Sequence, residues 1–342
     1  MRHLTLLILF CILFACSESS KKLSFSSVRI ETVFEDSVSI RVIEFLDKNT
    51  LAFAGSSGIY GTVDIPTGKI RSNIMKFHTV IPEFRSVAHT SNDFFMLSVG
   101  NPALLYKTGD NGRMNLVYIE EGDAVFYDAI NFWNDREGVA VGDNTDGCLS
   151  IIITRDGGNT WNKLPCNVLP EFMEGEGAFA ASNTNIKIIG DKTWIATTKR
   201  ILYSMDKGET WTSFKTPVKT DETSEGIFSI DFYDENVGVA IGGDFAKPDG
   251  NLANKAITED GGKTWQLLAD GKEPGYKSCI RFVPNSGGNG LVAIGFTGIS
   301  YSKDRGATWE RLSKEGFYTI RFLNDSTAYA AGKNRIAKLS FR

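Results

Sequence analysis

The chain has 342 residues, 42% of them hydrophobic and 23% charged, with a formal net charge of −4. This is ample for a sizeable core, and no basic patch stands out, which argues against a nucleic-acid partner. The 34 glycines and 23 phenylalanines, set among β-branched residues, favour a turn-rich all-β protein. The first element is not part of that fold. Arg2 and His3 give a short positive segment, and Leu4 to Phe14 is an apolar run too short to span a bilayer. An apolar run of this length ending at a small residue reads as a secretory signal.

The residues that follow, Leu13-Phe14-Ala15-Cys16, resemble the lipobox of bacterial lipoproteins. The resemblance implies cleavage before Cys16 and acylation of its thiol. Residues 1–15 are then a signal peptide and residues 16–27 a lipid-anchored tether, with polar Ser17 to Lys22 (SESSKK) as its spacer. No later apolar stretch reaches ~18 residues, so the lipid is the expected attachment to the membrane. The expected location is the bacterial cell envelope.

From residue 28 to 342 the chain repeats itself. Four octapeptides share the pattern [ST]-x-D-x-G-x-T-W: Thr154–Trp161, Ser204–Trp211, Thr258–Trp265 and Ser302–Trp309. A degenerate fifth, Thr108–Asn115, keeps Thr108, Asp110 and Gly112 but lacks the final Thr and Trp. The four tryptophans are spaced by 50, 54 and 44 residues. Short β-rich runs recur around each octapeptide, as in Ile130–Trp133, Gly138–Asp143, Leu149–Arg155 and Trp161–Pro165. Even spacing with turns between describes propeller blades. Seven blades are predicted, with six as the alternative. The last blade, 316–342, has only three strands, and Val28–Phe34 is expected to supply its fourth and close the ring.

Within each octapeptide the chemistry is structural. Asp156, Asp206, Asp260 and Asp304 are expected to accept backbone N–H groups of their own turn. One carboxylate per blade keeps the four far apart, so they are not assigned to a metal or to catalysis. Cys148 and Cys166 centre on residue 157, the middle of one such turn. A disulfide between them is predicted, with two buried free thiols as the alternative; it would close an 18-residue loop and contribute about 3 kcal/mol. Cys279 is expected as a buried inner-strand thiol.

With these octapeptides placed, the chain resembles the Asp-box (BNR-repeat) propellers. That group includes sialidases, sortilin-type receptors, xyloglucanase-type glycosidases and the photosystem II assembly-factor propellers. Asn236–Asp244 (NVGVAIGGD) with the following octapeptide, and Gly175–Asn185 (GEGAFAASNTN), look most like the assembly factors and their uncharacterised bacterial lipoprotein relatives. That likeness implies a binding or assembly role, although one fold carries many functions. Sialidases carry an Arg-Ile-Pro motif near the start; Val28–Glu31 (VRIE) lacks its proline.

No catalytic signature appears: there is no HExxH, CxxC, P-loop or GxSxG, and His78 and His89 lack metal-ligand spacing. No cofactor or metal is predicted. The loops on the face opposite the octapeptide turns are polar and long, among them Asp143–Gly147, Glu171–Gly177, Asp221–Gly226, Gly243–Asn251 and Lys272–Lys277. Binding residues concentrate on such loops. Candidate ligand-binding residues are Arg85, His89, Asp143, Asp146, Glu174, Glu176, Asp244, Lys277, Arg281, Tyr318 and Arg321. Tyr127, Phe228 and Tyr276 are expected to add aromatic surface at the same channel mouth. The leading expectation is a monomeric, non-catalytic module that binds a protein or peptide there. The alternative is a carbohydrate-active or glycan-binding propeller using acidic pairs such as Glu174 with Glu176 or Asp244 with Asp249. A weaker one is an oxidoreductase with an unrecognised cofactor.

Overall fold

A computed structural model describes residues 24–342; the expected signal peptide and Cys16 lie outside the described residues. Seven antiparallel sheets follow one another in chain order. Blade 1 runs through Val42–Asp47, Thr50–Ala54, Ile59–Asp64 and Ile70–Ile74. Blade 2 begins at Phe84–His89, blade 3 at Tyr127–Phe132, blade 4 at Ile186–Ile189, blade 5 at Glu225–Phe232 and blade 6 at Cys279–Phe282. Each has four strands in simple up-and-down order.

Blade 7 closes the ring. Its inner strand is Thr319–Phe322, and the extended span Thr327–Phe341 folds back near Asn334 (φ 66°). The fold-back brings Phe341 N within 2.8 Å of Ser326 O. The returning arm pairs with Val28–Ser39, from Val28 opposite Phe341 to Ser39 opposite Lys333. The N-terminal strand thus supplies the outer edge of the last blade, and the ring has seven blades rather than six.

The core lies between blades. One buried cluster joins Phe95 and Leu105 of blade 2 to Ile130, Ala140 and Trp161 of blade 3. Another joins Trp194 and Ile201 of blade 4 to Phe232, Ala256 and Trp265 of blade 5. Inner and middle strands are buried on both faces, which is why stretches such as Val139-Ala140-Val141 and Leu291-Val292-Ala293-Ile294 read as continuous apolar runs.

The octapeptide turns all lie at one end of the blades. In blade 3 the Thr154 hydroxyl donates to Asp156 Oδ1 (2.9 Å) and accepts from Gly158 N (2.9 Å). Asp156 Oδ1 also accepts Thr160 N (2.9 Å), and Oδ2 accepts the Thr160 hydroxyl (2.7 Å). Asp206, Asp260 and Asp304 repeat these bonds. Burial opposes ionisation of each of the four, but the donors outweigh it and hold these carboxyls below their usual range. Gly158 sits at φ 76°, and an added Cβ would lie 2.3 Å from the Phe95 ring of blade 2, so both backbone and space require glycine.

Blade 2 departs from the expected alignment. Thr108 stands opposite Met114 and Lys107 opposite Asn115, whereas Ile153 stands opposite Asn162 in blade 3. The degenerate turn is therefore one residue shorter, and Met114, not Asn115, takes the tryptophan's place. Thr108 donates instead to Asp93 (3.1 Å). The smaller side chain adjoins a hollow of about 330 Å³ between blades 1 and 2, walled by Leu46, Tyr60, Phe94 and Met114. The predicted disulfide between Cys148 and Cys166 is present, and Cys279 is a buried thiol.

Candidate functional site

Every inner strand starts at the face opposite the octapeptide turns. Three of these strands open with a β-bulge, at Arg85, Asp128 and Phe228. A bulge re-aims one side chain. Arg41, Ser278 and Tyr318 occupy the corresponding place just before the inner strands of blades 1, 6 and 7. Arg41, Arg85, Phe228 and Tyr318 thereby converge on a cup of about 230 Å³ at the axis. Phe179, Ala180, Ala181, Phe245, Tyr276 and Phe296 complete its wall. The Phe179 and Phe228 rings stack at 3.7 Å, and Tyr276 meets Phe228 edge-on at 4.8 Å. Phe245 and Phe296 remain about half exposed at the rim, at 47% and 45%.

The cup has a floor. Residues 178–185 precede the first strand of blade 4 and cross the channel. Asn183 accepts Ile130 N at its Oδ1 (3.0 Å) and donates from Nδ2 to Val87 O (2.7 Å). Thr184 O accepts Ile230 N (2.9 Å), and the Ser182 hydroxyl is 2.7 Å from Ser278 O. Ser182 O accepts from Thr319 (3.1 Å). One short segment thus bonds to blades 2, 3, 5, 6 and 7. The reason is elementary. Inner strands have no neighbour on the channel side, so their buried amides and carbonyls need partners, and this segment supplies them.

Below the floor, a second tier is charged and internally paired. Lys187 (2.6 Å) and Arg281 (3.5 Å) both meet Asp231, and Arg321 meets Glu44 (3.0 Å). Asp231 also accepts Phe282 N at 2.9 Å. Burial resists its ionisation, but Lys187 and Arg281 prevail and hold its carboxyl below the usual range. Arg321 donates to the Thr319 hydroxyl (2.9 Å) as well.

Electrostatics in the cup differ. Arg85 donates to Glu83 at 2.8 Å. The Arg41 guanidinium lies 4.1 Å over the Tyr318 ring, and its Nε is buried with no hydrogen-bond partner. Burial, and then the Arg85 charge, make Arg41 less basic than a free arginine. Behind the wall lie two acids. Asp143 accepts Ala178 N (2.8 Å), and Asp128 is fully buried with neither oxygen in good hydrogen-bond geometry. Burial pushes Asp128 well above the usual carboxylate range, and the Asp143 charge pushes the same way; the Arg85 charge and the Ala180 amide oppose but do not prevail.

Of the residues singled out in the sequence, the structure brings Arg85 and Tyr318 together in the cup, with Phe228 and Tyr276. Asp143 stands behind its wall. Arg281 and Arg321 lie in the channel below the floor. Lys277 is buried under the rim, donating to Thr297 (2.8 Å), and burial lowers its amine to about 8. Asp244 is buried over blade 5, accepting Ala246 N (2.8 Å), and lines a separate hollow with Lys219 and Lys247. Asp146 and Glu174 are exposed outside the cup.

Three placements differ from expectation. His89 ends its strand and so lies at the octapeptide end of blade 2, beside Asp135. Glu176 is buried in a two-pronged bond with Arg200 (both 2.8 Å), which leaves no free acidic pair with Glu174. Tyr127 points into the blade interface, its hydroxyl on Glu120 (2.7 Å), because the bulge gives the axial position to Asp128. Arg41, Asp128, Phe179, Phe245 and Phe296 were not singled out. Arg41 was within reach: Arg41-Val42-Ile43-Glu44-Phe45 aligns with Tyr318-Thr319-Ile320-Arg321-Phe322.

Comparison with known proteins agrees on the fold. The family model described as "Sortilin, neurotensin receptor 3" matches residues 149–281, a stretch holding three of the four complete octapeptides. Among solved structures, the chain is similar to "YCF48 bound to D1 peptide", with a TM-score of 0.66 and 14% identity over 94% of this chain and 96% of that one. It is similar to YCF48 from Cyanidioschyzon merolae, with a TM-score of 0.63 and 14% identity over 93% and 99%. The WD40 repeats of RRP9 match with a TM-score of 0.65 and 11% identity over 92% and 98%. No curated protein matches in sequence.

Proposed function

We propose that this chain is a non-catalytic binding propeller of the bacterial cell envelope, tethered through Cys16, that docks a protein or peptide on the face carrying the cup. The observation that supports this reading is the cup itself. It is an apolar, aromatic-walled depression with a few converging polar groups, which is the usual character of a recognition site, and it sits on a rigid seven-bladed frame. Partly exposed Phe245 and Phe296 extend it outward, and aromatic residues are the usual anchors of protein interfaces. A solved neighbour of the same fold carries a peptide by its own title.

The test is affinity capture from detergent-solubilised membranes. Three baits are compared: the unsubstituted chain, the Phe228→Ala/Phe245→Ala pair, and Arg155→Ala on the octapeptide face. The expected result is a partner retained by the first and third baits and lost from the second. A partner lost only from the Arg155→Ala bait would place docking on the other face and contradict the proposal.

A further inference from the structure

Two guanidinium groups line the cup, and one carboxylate, Glu83, pairs with Arg85 beside it. Arg41 is left as a largely buried cation with no ion pair among the described residues, packed on Tyr318 and pressed by Arg85. A desolvated, unpaired charge is costly, and a ligand anion would remove that cost. The floor formed by residues 182–184 blocks passage, so whatever enters must end there. We propose that the cup binds a carboxylate carried on an aromatic or apolar group. Arg41 and Arg85 take the carboxylate, and the ring wall of Phe179, Phe228 and Tyr276 takes the group that bears it.

The charge balance favours a carboxylate over a phosphate. Of the two guanidinium groups that line the cup, Arg85 is paired with Glu83 and Arg41 has no ion pair among the described residues, so one cation faces the cup for a monoanion; Asp143 lies behind the wall, on the Ala178 amide. The guanidinium fork also suits a planar carboxylate. Two sources share this chemistry: the end of a peptide chain and a free small acid. The inference rests on the reading of this face as a docking surface.

The experiment is calorimetric titration of the purified chain with acetyl-phenylalanine, with the tetrapeptide acetyl-Ala-Ser-Ala-Phe, and with the amide of each. Inorganic phosphate and glucuronate are run beside them. The free acids are expected to bind at least about tenfold more tightly than their amides. Arg41→Gln is expected to lose about the same factor, and Arg41→Lys to recover part of it. Thermal unfolding of each variant shows whether it is folded. A tetrapeptide bound more tightly than acetyl-phenylalanine identifies a chain end; equal binding identifies a free acid; either supports the proposal. The proposal is overturned if the amides bind as well as the acids, if a folded Arg41→Gln binds them unchanged, if phosphate or glucuronate binds best, or if no acid binds. Should an Arg41→Gln bait still capture the partner that the Phe228→Ala/Phe245→Ala bait loses, the carboxylate assignment falls and the docking surface stands.

Discussion

Replacing Asn183 with alanine is expected to destabilise the chain by on the order of 3–5 kcal/mol, read as a lower urea midpoint. The side chain is the shared partner of two buried backbone groups in different blades, Ile130 N and Val87 O. Truncation strands both, and a stranded buried group costs about 1–3 kcal/mol. Asn183 also has φ 55°, a conformation that asparagine tolerates and alanine resists. Asn183→Gly separates the two causes. It relieves the backbone but restores neither bond, so it is expected to recover only the smaller part of the loss. An Asn183→Ala protein as stable as the parent would mean that the crossing segment does not hold the ring together.

Asp128→Asn is expected to act in the opposite direction, and to depend on pH. Asp128 is raised above its ordinary value in the folded chain, by burial first and by Asp143 second. A raised acid favours the folded state only while it is protonated in both states. As pH rises through the ordinary aspartate range, near 4, the unfolded chain releases this proton and the folded chain keeps it, so stability is lost. The loss grows until the folded-state value is passed and is constant above it. Asparagine removes the dependence. The expected gain at neutral pH is on the order of 1–3 kcal/mol, the usual penalty for a buried polar group that is poorly satisfied, shrinking towards zero below pH ~4. Thermal midpoints of both proteins across this range measure it. A constant difference at all pH values would mean that Asp128 ionises normally. Because Asp128 lies near Arg85 and the segment bearing Phe179, the same substitution reports whether its ionisation reaches the cup.

The scaffold was legible because its instructions are local and repeated. Thr154, Asp156, Gly158, Thr160 and Trp161 each have a role inside a single turn, and the same eight positions recur three more times. The Cys148–Cys166 bond was legible for the same reason, since a hairpin about residue 157 brings its ends together. Closure by an N-terminal strand, expected over Val28–Phe34, followed from counting strands in the last blade, and the strand runs on to Ser39.

The site was less legible, because it depends on register and on distance. A single bulged residue exchanges Tyr127 for Asp128 at the axis, and periodicity does not reveal which of two adjacent residues the bulge turns inward. One missing residue in the turn of blade 2 moves Met114 into the place read as Asn115. The crossing segment was visible as sequence but not as a floor. Its partners, Val87, Ile130, Ile230, Ser278 and Thr319, are spread over five blades, and no local rule connects them. Glu176 looked available because its partner, Arg200, stands 24 residues away.

The most direct measurement of the central claim is crosslinking in intact cells. A photoreactive phenylalanine analogue replaces either Phe245, at the rim of the cup, or Met205, exposed at 66% on an octapeptide turn of the opposite face. The expected result is a discrete crosslinked protein from position 245 and none from position 205. A partner crosslinked from position 205 alone would place recognition on the octapeptide face and contradict the account.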